Sequence, residues 1–134
     1  MAVAMRGQKI IVGVTGGIAA YKTADLVSKL AQRGDEVAVV MTPAAKEFIT
    51  EATMAALSGR PVACEVFDSR HPLGAHIELA RWADVLCVAP ATASFLGSVA
   101  HGIANDLLTT LYLSFEGLVL FAPAMNVVPP GGKW

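Results

Sequence analysis

The sequence has few charges and no apolar run long enough for a membrane helix. Charged residues make up 16% of the 134 residues, and ten basic and eleven acidic side chains give a net charge of −1. These charges are spread along the chain rather than gathered in a stripe, so nucleic-acid binding has no electrostatic support. The longest apolar runs, 85–93 and 117–125, are about half the ~20 residues of a membrane helix. No membrane span is therefore predicted.

Cysteine is scarce as well. Cys64 and Cys87 each lie in an apolar stretch that resembles a strand, and neither belongs to a close cluster of Cys and His residues. No metal site and no disulfide framework are predicted, and reduced core thiols of a cytoplasmic protein are the favoured interpretation. The segment 1–9 has no small-residue cleavage pattern, so no signal peptide is expected.

Hydrophobic residues are abundant, at 54% of the chain with a mean hydropathy of +0.56. A chain of this length has the size of one compact domain. Buried parallel strands take up part of the apolar surface, but a small domain cannot bury all of it. We therefore expect subunit contacts and a homo-oligomer.

Short apolar runs alternate with segments of helical spacing. Strands are predicted at 9–14, 36–41, 62–66, 84–89 and 118–122. Helices are predicted after the first strand up to Arg33, at 44–58 with a break near Thr50, and at 76–83, 93–104 and 106–115. This alternation predicts the α/β class: a doubly wound, mostly parallel, Rossmann-like sheet with helices on both faces. Ligands bind beyond the carboxyl ends of such strands, so functional residues are expected there.

The first strand is followed by a run of small residues, 15–20, with the sequence TGGIAA. Small residues between a strand and a helix let backbone N–H groups approach an anion, which indicates a phosphate site. A tight strand-to-helix turn also favours glycine for structural reasons alone, and the turn by itself leaves both readings open. The run is neither GxGxxG nor a P-loop, and the second strand ends in Met41-Thr42-Pro43 without an acidic residue. A nicotinamide dinucleotide site is therefore disfavoured.

Six ordered segments carry a resemblance to a known family. They are 14–22 (VTGGIAAYK), 41–45 (MTPAA), 76–80 (HIELA), 89–93 (APATA), 102–108 (GIANDLL) and 123–126 (PAMN). Together they resemble the homo-oligomeric flavin-containing cysteine decarboxylases, and within these the phosphopantothenoylcysteine decarboxylases, over roughly residues 8 to 126. The resemblance implies a flavoprotein fold and a trimer-based assembly. It also implies FMN-dependent decarboxylation of 4′-phosphopantothenoylcysteine toward 4′-phosphopantetheine, in coenzyme A biosynthesis.

The resemblance also implies which residues contact FMN. The phosphate is expected at the first turn, with further contacts after the second and third strands and a possible contact near a subunit interface. These residues are Gly16, Gly17, Ile18, Thr42, Ala91, Thr92, Ala93, Ser94 and Asp106. The family's third loop commonly reads PASANT or begins PATA, whereas this chain has Ser94 and Phe95 at its last two positions. From the residues alone, Asp106 is adequately explained as a helix N-cap.

Two residues match catalytic positions of the family. His76 opens a predicted helix whose inward face is expected at Ile77 and Ala80, and a helix N-terminus favours a neutral imidazole suited to a general base. From the residues alone, a capping or surface histidine is the alternative. Asn126 could be a turn former, but it matches the family's carboxylate-binding asparagine. His71 and His101 have no match and are interpreted as structural.

After Asn126 the sequence departs from the family, in which a substrate-covering flap with a required cysteine follows. Neither Cys64 nor Cys87 can replace that cysteine. We therefore expect a decarboxylase domain at 1–126 that is incomplete at its C-terminal end, an irregular tail at 127–134, and impaired turnover. The alternatives are a non-catalytic flavin-binding regulatory or structural subunit of the same family, and a flavin prenyltransferase-like protein. The latter is expected to have a first turn rich in Ser, Gly and Ala, which Gly17-Ile18-Ala19 does not match.

Overall fold

The structure is a computed structural model that describes residues 7–124. Strands and helices alternate through this range. In chain order they are strand β1 (Lys9–Val14), helix α1 (Ala20–Arg33), strand β2 (Glu36–Met41), a 3-10 turn (Ala44–Glu47), helix α2 (Glu51–Ser58), helix α3 (Ala75–Trp82), strand β3 (Val85–Ala91), helices α4 (Ala93–Ala100) and α5 (Leu107–Ser114), and strand β4 (Leu118–Pro123). None of these helices is long and apolar enough to cross a membrane.

The four strands form one parallel sheet in the order β2-β1-β3-β4. The chain leaves β1 toward β2 and then returns to place β3 on the opposite side of β1. The loops after β1 and β3 therefore diverge at a topological switch point, where ligands bind in sheets of this kind. The parallel α/β architecture predicted from the alternation of elements is confirmed.

Helices cover both faces of the sheet. One core cluster packs Ile11 and Leu86 of the sheet against Leu111 of α5, and the other packs Val12 and Val39 against α1 and α2. Alternate strand residues thus enter different cores, as a pleated strand with two buried faces requires. The doubly wound arrangement is confirmed.

The predicted break near Thr50 is confirmed, because the Thr50 side chain accepts a hydrogen bond from the Thr53 N–H and begins α2. The predicted strand at 62–66 is wrong. Only Ala63 bridges to Val40 of β2, and Pro61 has no N–H with which to extend the pairing. Cys64 therefore lies in a loop and is only partly buried, rather than in a core strand.

Candidate functional site

The loops after β1, β2 and β3 meet beyond the carboxyl ends of the strands and border an open cavity. Its volume is about 630 Å³, within the roughly 300–1000 Å³ that is typical of small-molecule sites. Its lining residues are Gly16, Gly17, Ile18, Ala19, Phe48, Thr92, Ala93, Ser94 and Ala124. Six of the nine residues predicted to contact FMN are therefore gathered at one cavity.

The wall formed by the first turn offers unused hydrogen-bond donors. Within residues 7–124, the backbone N–H groups of Gly16, Ile18 and Ala19 have no backbone acceptor. Helix α1 begins directly behind them without a side-chain cap and without an acidic residue in its first turn. Free N–H groups at the positive end of a helix dipole favour an anion, because they provide both hydrogen bonds and a partial positive charge.

The two glycines of the first turn meet different surroundings. A Cβ atom on Gly16 would lie 2.5 Å from the Ala44 Cβ, which follows β2, so only glycine fits there. A Cβ atom on Gly17 would lie 3.6 Å from Pro90 and Thr92 atoms, an ordinary contact distance. Neither glycine has a positive φ. Close packing against Ala44, rather than backbone conformation, therefore requires glycine at position 16.

The opposite wall is the segment after β3. The Thr92 side chain begins α4 by accepting a hydrogen bond from the Phe95 N–H at 3.3 Å, which exposes Ala93 and Ser94 at the cavity. The Ala89–Pro90 peptide bond in this segment is cis. The wall is apolar except for hydroxyl groups.

Three of the residues predicted to contact FMN do not line this cavity. The Thr42 hydroxyl accepts a hydrogen bond from the Ala45 N–H, and Ala91 is fully buried in the core. Asp106 begins α5 in a capping box with Thr109. The N-cap interpretation of Asp106 is thus confirmed, and local hydrogen bonds or burial account for all three positions.

Phe48 lines the cavity and was missed by sequence reasoning. It follows the 3-10 turn directly and keeps 52% of its surface exposed. In a continuous helix over 44–58, a phenylalanine would be interpreted as a core residue. The signal that could have found it is the break near Thr50, which frees the residues before the break to face the cavity.

His76 lies in a second open cavity of about 450 Å³, lined by Phe67, Asp68, Ser69, His71, Pro72, Leu73, Gly74 and His76. It is the second residue of α3, whose N-cap is Gly74. The buried Nδ1 atom of His76 has no hydrogen-bond partner among the described residues, and neither has that of His71. One chain therefore presents the predicted base and the predicted phosphate turn in separate cavities.

The inward face of α3 differs from the expected one. The buried residues are Ala75 and Leu79, rather than Ile77 and Ala80. The helix begins one residue earlier than predicted, and Ala75 and Leu79, four residues apart, share the face that packs in the core. His76 follows the first buried position and is itself partly exposed.

The other two histidines differ from each other. His71 lines the same cavity as His76, and its Nδ1 lies 4.0 Å from an Asp68 carboxylate oxygen. The Nδ1 of His101 lies 2.8 Å from the Gly97 carbonyl oxygen at the end of α4, which supports the structural interpretation of His101. Asn126 lies outside the described residues. Ala124, two positions before it, lines the first cavity.

Neither cysteine lines the cavities that hold the predicted site residues. Burial and the adjacent Glu51 carboxylate raise the pKa of Cys64 to about 11, and the Cys64 Sγ donates to Glu51 at 3.2 Å. Burial raises the pKa of Cys87 as well. Both thiols are therefore protonated at neutral pH, and neither supplies a thiolate nucleophile.

Known proteins resemble this chain over most of its length. The Flavoprotein family model matches residues 2–128. The chain is 55% identical over 124 residues to the coenzyme A biosynthesis bifunctional protein CoaBC of Vibrio vulnificus, and 49% identical over 123 residues to that of Escherichia coli. Each match covers 91% of this chain, which spans only 31% and 30% of those relatives.

Solved structures are similar over most of the chain. The FMN-dependent cysteine decarboxylase SpaF gives a TM-score of 0.84 at 34% identity, over 90% of this chain and 70% of SpaF. A PPC decarboxylase mutant complexed with pantothenoylaminoethenethiol gives 0.80 at 28% identity, over 92% of this chain and 70% of that one. The match of the family model over nearly the whole sequence shows that the chain belongs to the flavoprotein family.

Proposed function

We propose that this chain is the FMN-binding part of a phosphopantothenoylcysteine decarboxylase. Its activity is the FMN-dependent decarboxylation of 4′-phosphopantothenoylcysteine toward 4′-phosphopantetheine, in coenzyme A biosynthesis. The observation that carries the proposal is the cavity of about 630 Å³ with free N–H groups at one end. The CoaBC relatives and the FMN-dependent decarboxylase structures support the same assignment, and a cytoplasmic location follows from that biosynthetic role.

The residues of the cavity fit FMN. The N–H groups of Gly16 and Ile18 would hold the phosphate, and no acidic side chain among the described lining residues would repel it. Phe48 and Ala93 offer apolar surface to a flat ring system, as aromatic and small residues do in ligand sites. When bound, FMN would supply the two-electron oxidation next to the carboxylate that makes loss of carbon dioxide easy.

Two side chains would act on the substrate itself. His76 would accept a proton from it, since this histidine is partly exposed and lines an open cavity. Asn126 would hold the substrate carboxylate through its amide N–H group. In this proposal the protein positions the carboxylate and removes a proton.

The separation of the two cavities supports a site assembled between copies of the chain. Phe67 and Leu73, which line the cavity of His76, are 88% and 62% exposed. Large apolar side chains in such positions mark contact surfaces. We propose that a homo-oligomer built from trimers buries them and brings His76 to the FMN cavity of a neighbouring copy. Light scattering tests the assembly, and a stable monomer at micromolar concentration would contradict it.

The FMN site is tested by titrating the purified protein, freed of flavin, with FMN and following the flavin fluorescence. Ala93 and Ala100 are exposed residues at opposite ends of α4, and only Ala93 lines the cavity. Ala93→Leu should weaken FMN binding by filling the cavity, whereas Ala100→Leu should bind FMN as the unchanged protein does. Equal affinity of both variants would contradict the placement, and a protein that does not bind FMN would contradict the proposed function.

A non-catalytic flavin-binding subunit of the same family is the second candidate. It is favoured by the two thiols within residues 7–124, because Cys64 and Cys87 are both protonated at neutral pH and lie away from the two cavities. Anaerobic mixing with 4′-phosphopantothenoylcysteine separates the candidates. Loss of the absorbance of oxidised flavin supports the decarboxylase, and an unchanged spectrum of an FMN-loaded protein supports the subunit.

A further inference from the structure

A single buried hydroxyl joins the two walls of the FMN cavity. The Thr15 residue is 2% exposed and immediately precedes the glycines of the first turn. Its Oγ1 donates a hydrogen bond to the Pro90 carbonyl oxygen and accepts one from the Thr92 N–H at 3.2 Å. One hydroxyl thus satisfies a carbonyl and an N–H group of the opposite wall.

The two walls also lie close together beside this hydroxyl. A Cβ atom on Gly17 would lie 3.6 Å from the side chains of Pro90 and Thr92. Gly17 and Thr92 both line the cavity, whereas Thr15 stands behind them and is not among its lining residues. Thr15 is therefore placed to act on a ligand only through the residues that it holds.

We propose that Thr15 is a positioning residue that fixes the position of the first turn relative to the segment after β3. A ligand that spans the cavity can then contact both walls at once. The inference rests on the proposed function, in which FMN occupies the cavity with its phosphate at the first turn. A hydroxyl is needed because it donates and accepts at once. Serine retains both roles, whereas valine leaves the Pro90 carbonyl and the Thr92 N–H without this partner.

This role predicts an effect on selectivity as well as on stability. In the proposed arrangement FMN would contact both walls, with its phosphate at one and its ring at the other. Riboflavin lacks the phosphate and depends far less on the first turn. If Thr15 sets the register of the walls, its loss should weaken FMN binding more than riboflavin binding. A merely structural role would lower stability and leave the ratio of the two affinities unchanged, because both ligands bind the same folded state.

The experiment measures the dissociation constants of FMN and riboflavin by fluorescence titration of the unchanged protein, of three Thr15 variants and of one control variant. Thr15→Val should lower the preference for FMN over riboflavin about tenfold, the size expected when a buried hydrogen bond is lost. Thr15→Ser should restore the preference to within about twofold. Thr15→Ala, which adds no methyl group near the Pro90 oxygen, gives the same comparison if the valine variant does not fold.

Thr23 provides a matched control. It is 3% exposed, and its hydroxyl donates to the neighbouring carbonyl of Ala89 at 2.7 Å, without a bond to Thr92. Thr23→Val should lower the melting temperature and keep the preference for FMN. An unchanged preference in the Thr15→Val and Thr15→Ala variants would overturn this inference alone. Failure of the unchanged protein to bind FMN would overturn the proposed function and this inference with it.

Discussion

Alanine at position 16 should cost far more than alanine at position 17, although the two glycines are adjacent. A Cβ atom at Gly16 would lie 2.5 Å from the Ala44 Cβ and 3.0 Å from the Ala44 carbonyl carbon. Real Cβ contacts are essentially never shorter than 3.0 Å, so the first turn must move away from the segment after β2. Because Ala44 presents a short side chain and backbone, no flexible group can yield instead.

The expected loss follows from this overlap. Overpacking of a well-packed position costs about 1–3 kcal/mol of unfolding free energy. For a domain of this size, each kcal/mol lowers the melting temperature by roughly 4 °C. Gly16→Ala should therefore melt several degrees lower and bind FMN weakly, because the displaced N–H groups no longer point at the phosphate. Gly17→Ala should melt close to the unchanged protein, since its Cβ would meet Pro90 and Thr92 at 3.6 Å.

Thermal unfolding followed by circular dichroism, and FMN titration of the same samples, measure both effects. Gly97→Ala in α4 is a control, because a Cβ atom there meets no atom within 4 Å. The reasoning is refuted if Gly16→Ala melts with the control, or if Gly17→Ala is as unstable as Gly16→Ala. A bulkier Gly17→Val substitution should abolish flavin retention, because its branched side chain would press on the opposite wall.

Three further predictions concern single side chains. Phe48→Leu should weaken FMN binding, because Phe48 lines the cavity. The melting temperature should change little, because the side chain is 52% exposed. An unchanged affinity for FMN would contradict the proposed contact between Phe48 and FMN. The Cys64 thiol should react slowly with iodoacetamide below its pKa of about 11. Glu51→Gln should speed the reaction by removing the negative charge beside the thiol. Equal rates in the two proteins would refute Glu51 as a cause of the raised pKa. Folding raises the pKa of Cys64, so the protonated thiol stabilises the folded protein relative to the unfolded chain. This stabilisation is fully present below the pKa of the unfolded thiol and is lost as pH rises toward 11. His76→Asn should abolish the loss of flavin absorbance on mixing with substrate, whereas His101→Asn, which alters an exposed residue at the end of α4, should preserve it.

The sequence predicted the sheet well because its signal is local. The strands at 9–14 and 36–41 agree with the structure at both ends, since each is an apolar run bounded by residues that stop a strand. The predicted strand at 62–66 failed for a reason that is not local. Val62 and Ala63 are buried, but only Ala63 pairs with β2, through a single β-bridge to Val40. The apolar residues there pack in the core and do not form a strand.

The sequence predicted which residues gather at the cavity where this depends on strand ends, and it missed those that depend on distant contacts. Gly16 and Thr92 follow strands that end at one edge of the sheet, so position in the fold brings them together. The requirement for glycine at position 16 comes from Ala44, which the chain reaches only after α1 and β2. Phe48 faces the cavity because Thr50 interrupts the helix, and that consequence needs the tertiary structure.

The order of the motifs along the sequence did not predict that His76 lies away from the FMN cavity. Its motif and the first turn occur in one resemblance, which implies that both serve one reaction, yet one chain presents them in different cavities. A single reaction site then requires either a movement of α3 or a second copy of the chain. Ala75 and Leu79 anchor α3 in the core with α5, so a movement would have to break buried packing. A second copy needs no such loss and would cover Phe67 and Leu73, which favours assembly between copies as the way in which His76 reaches the flavin.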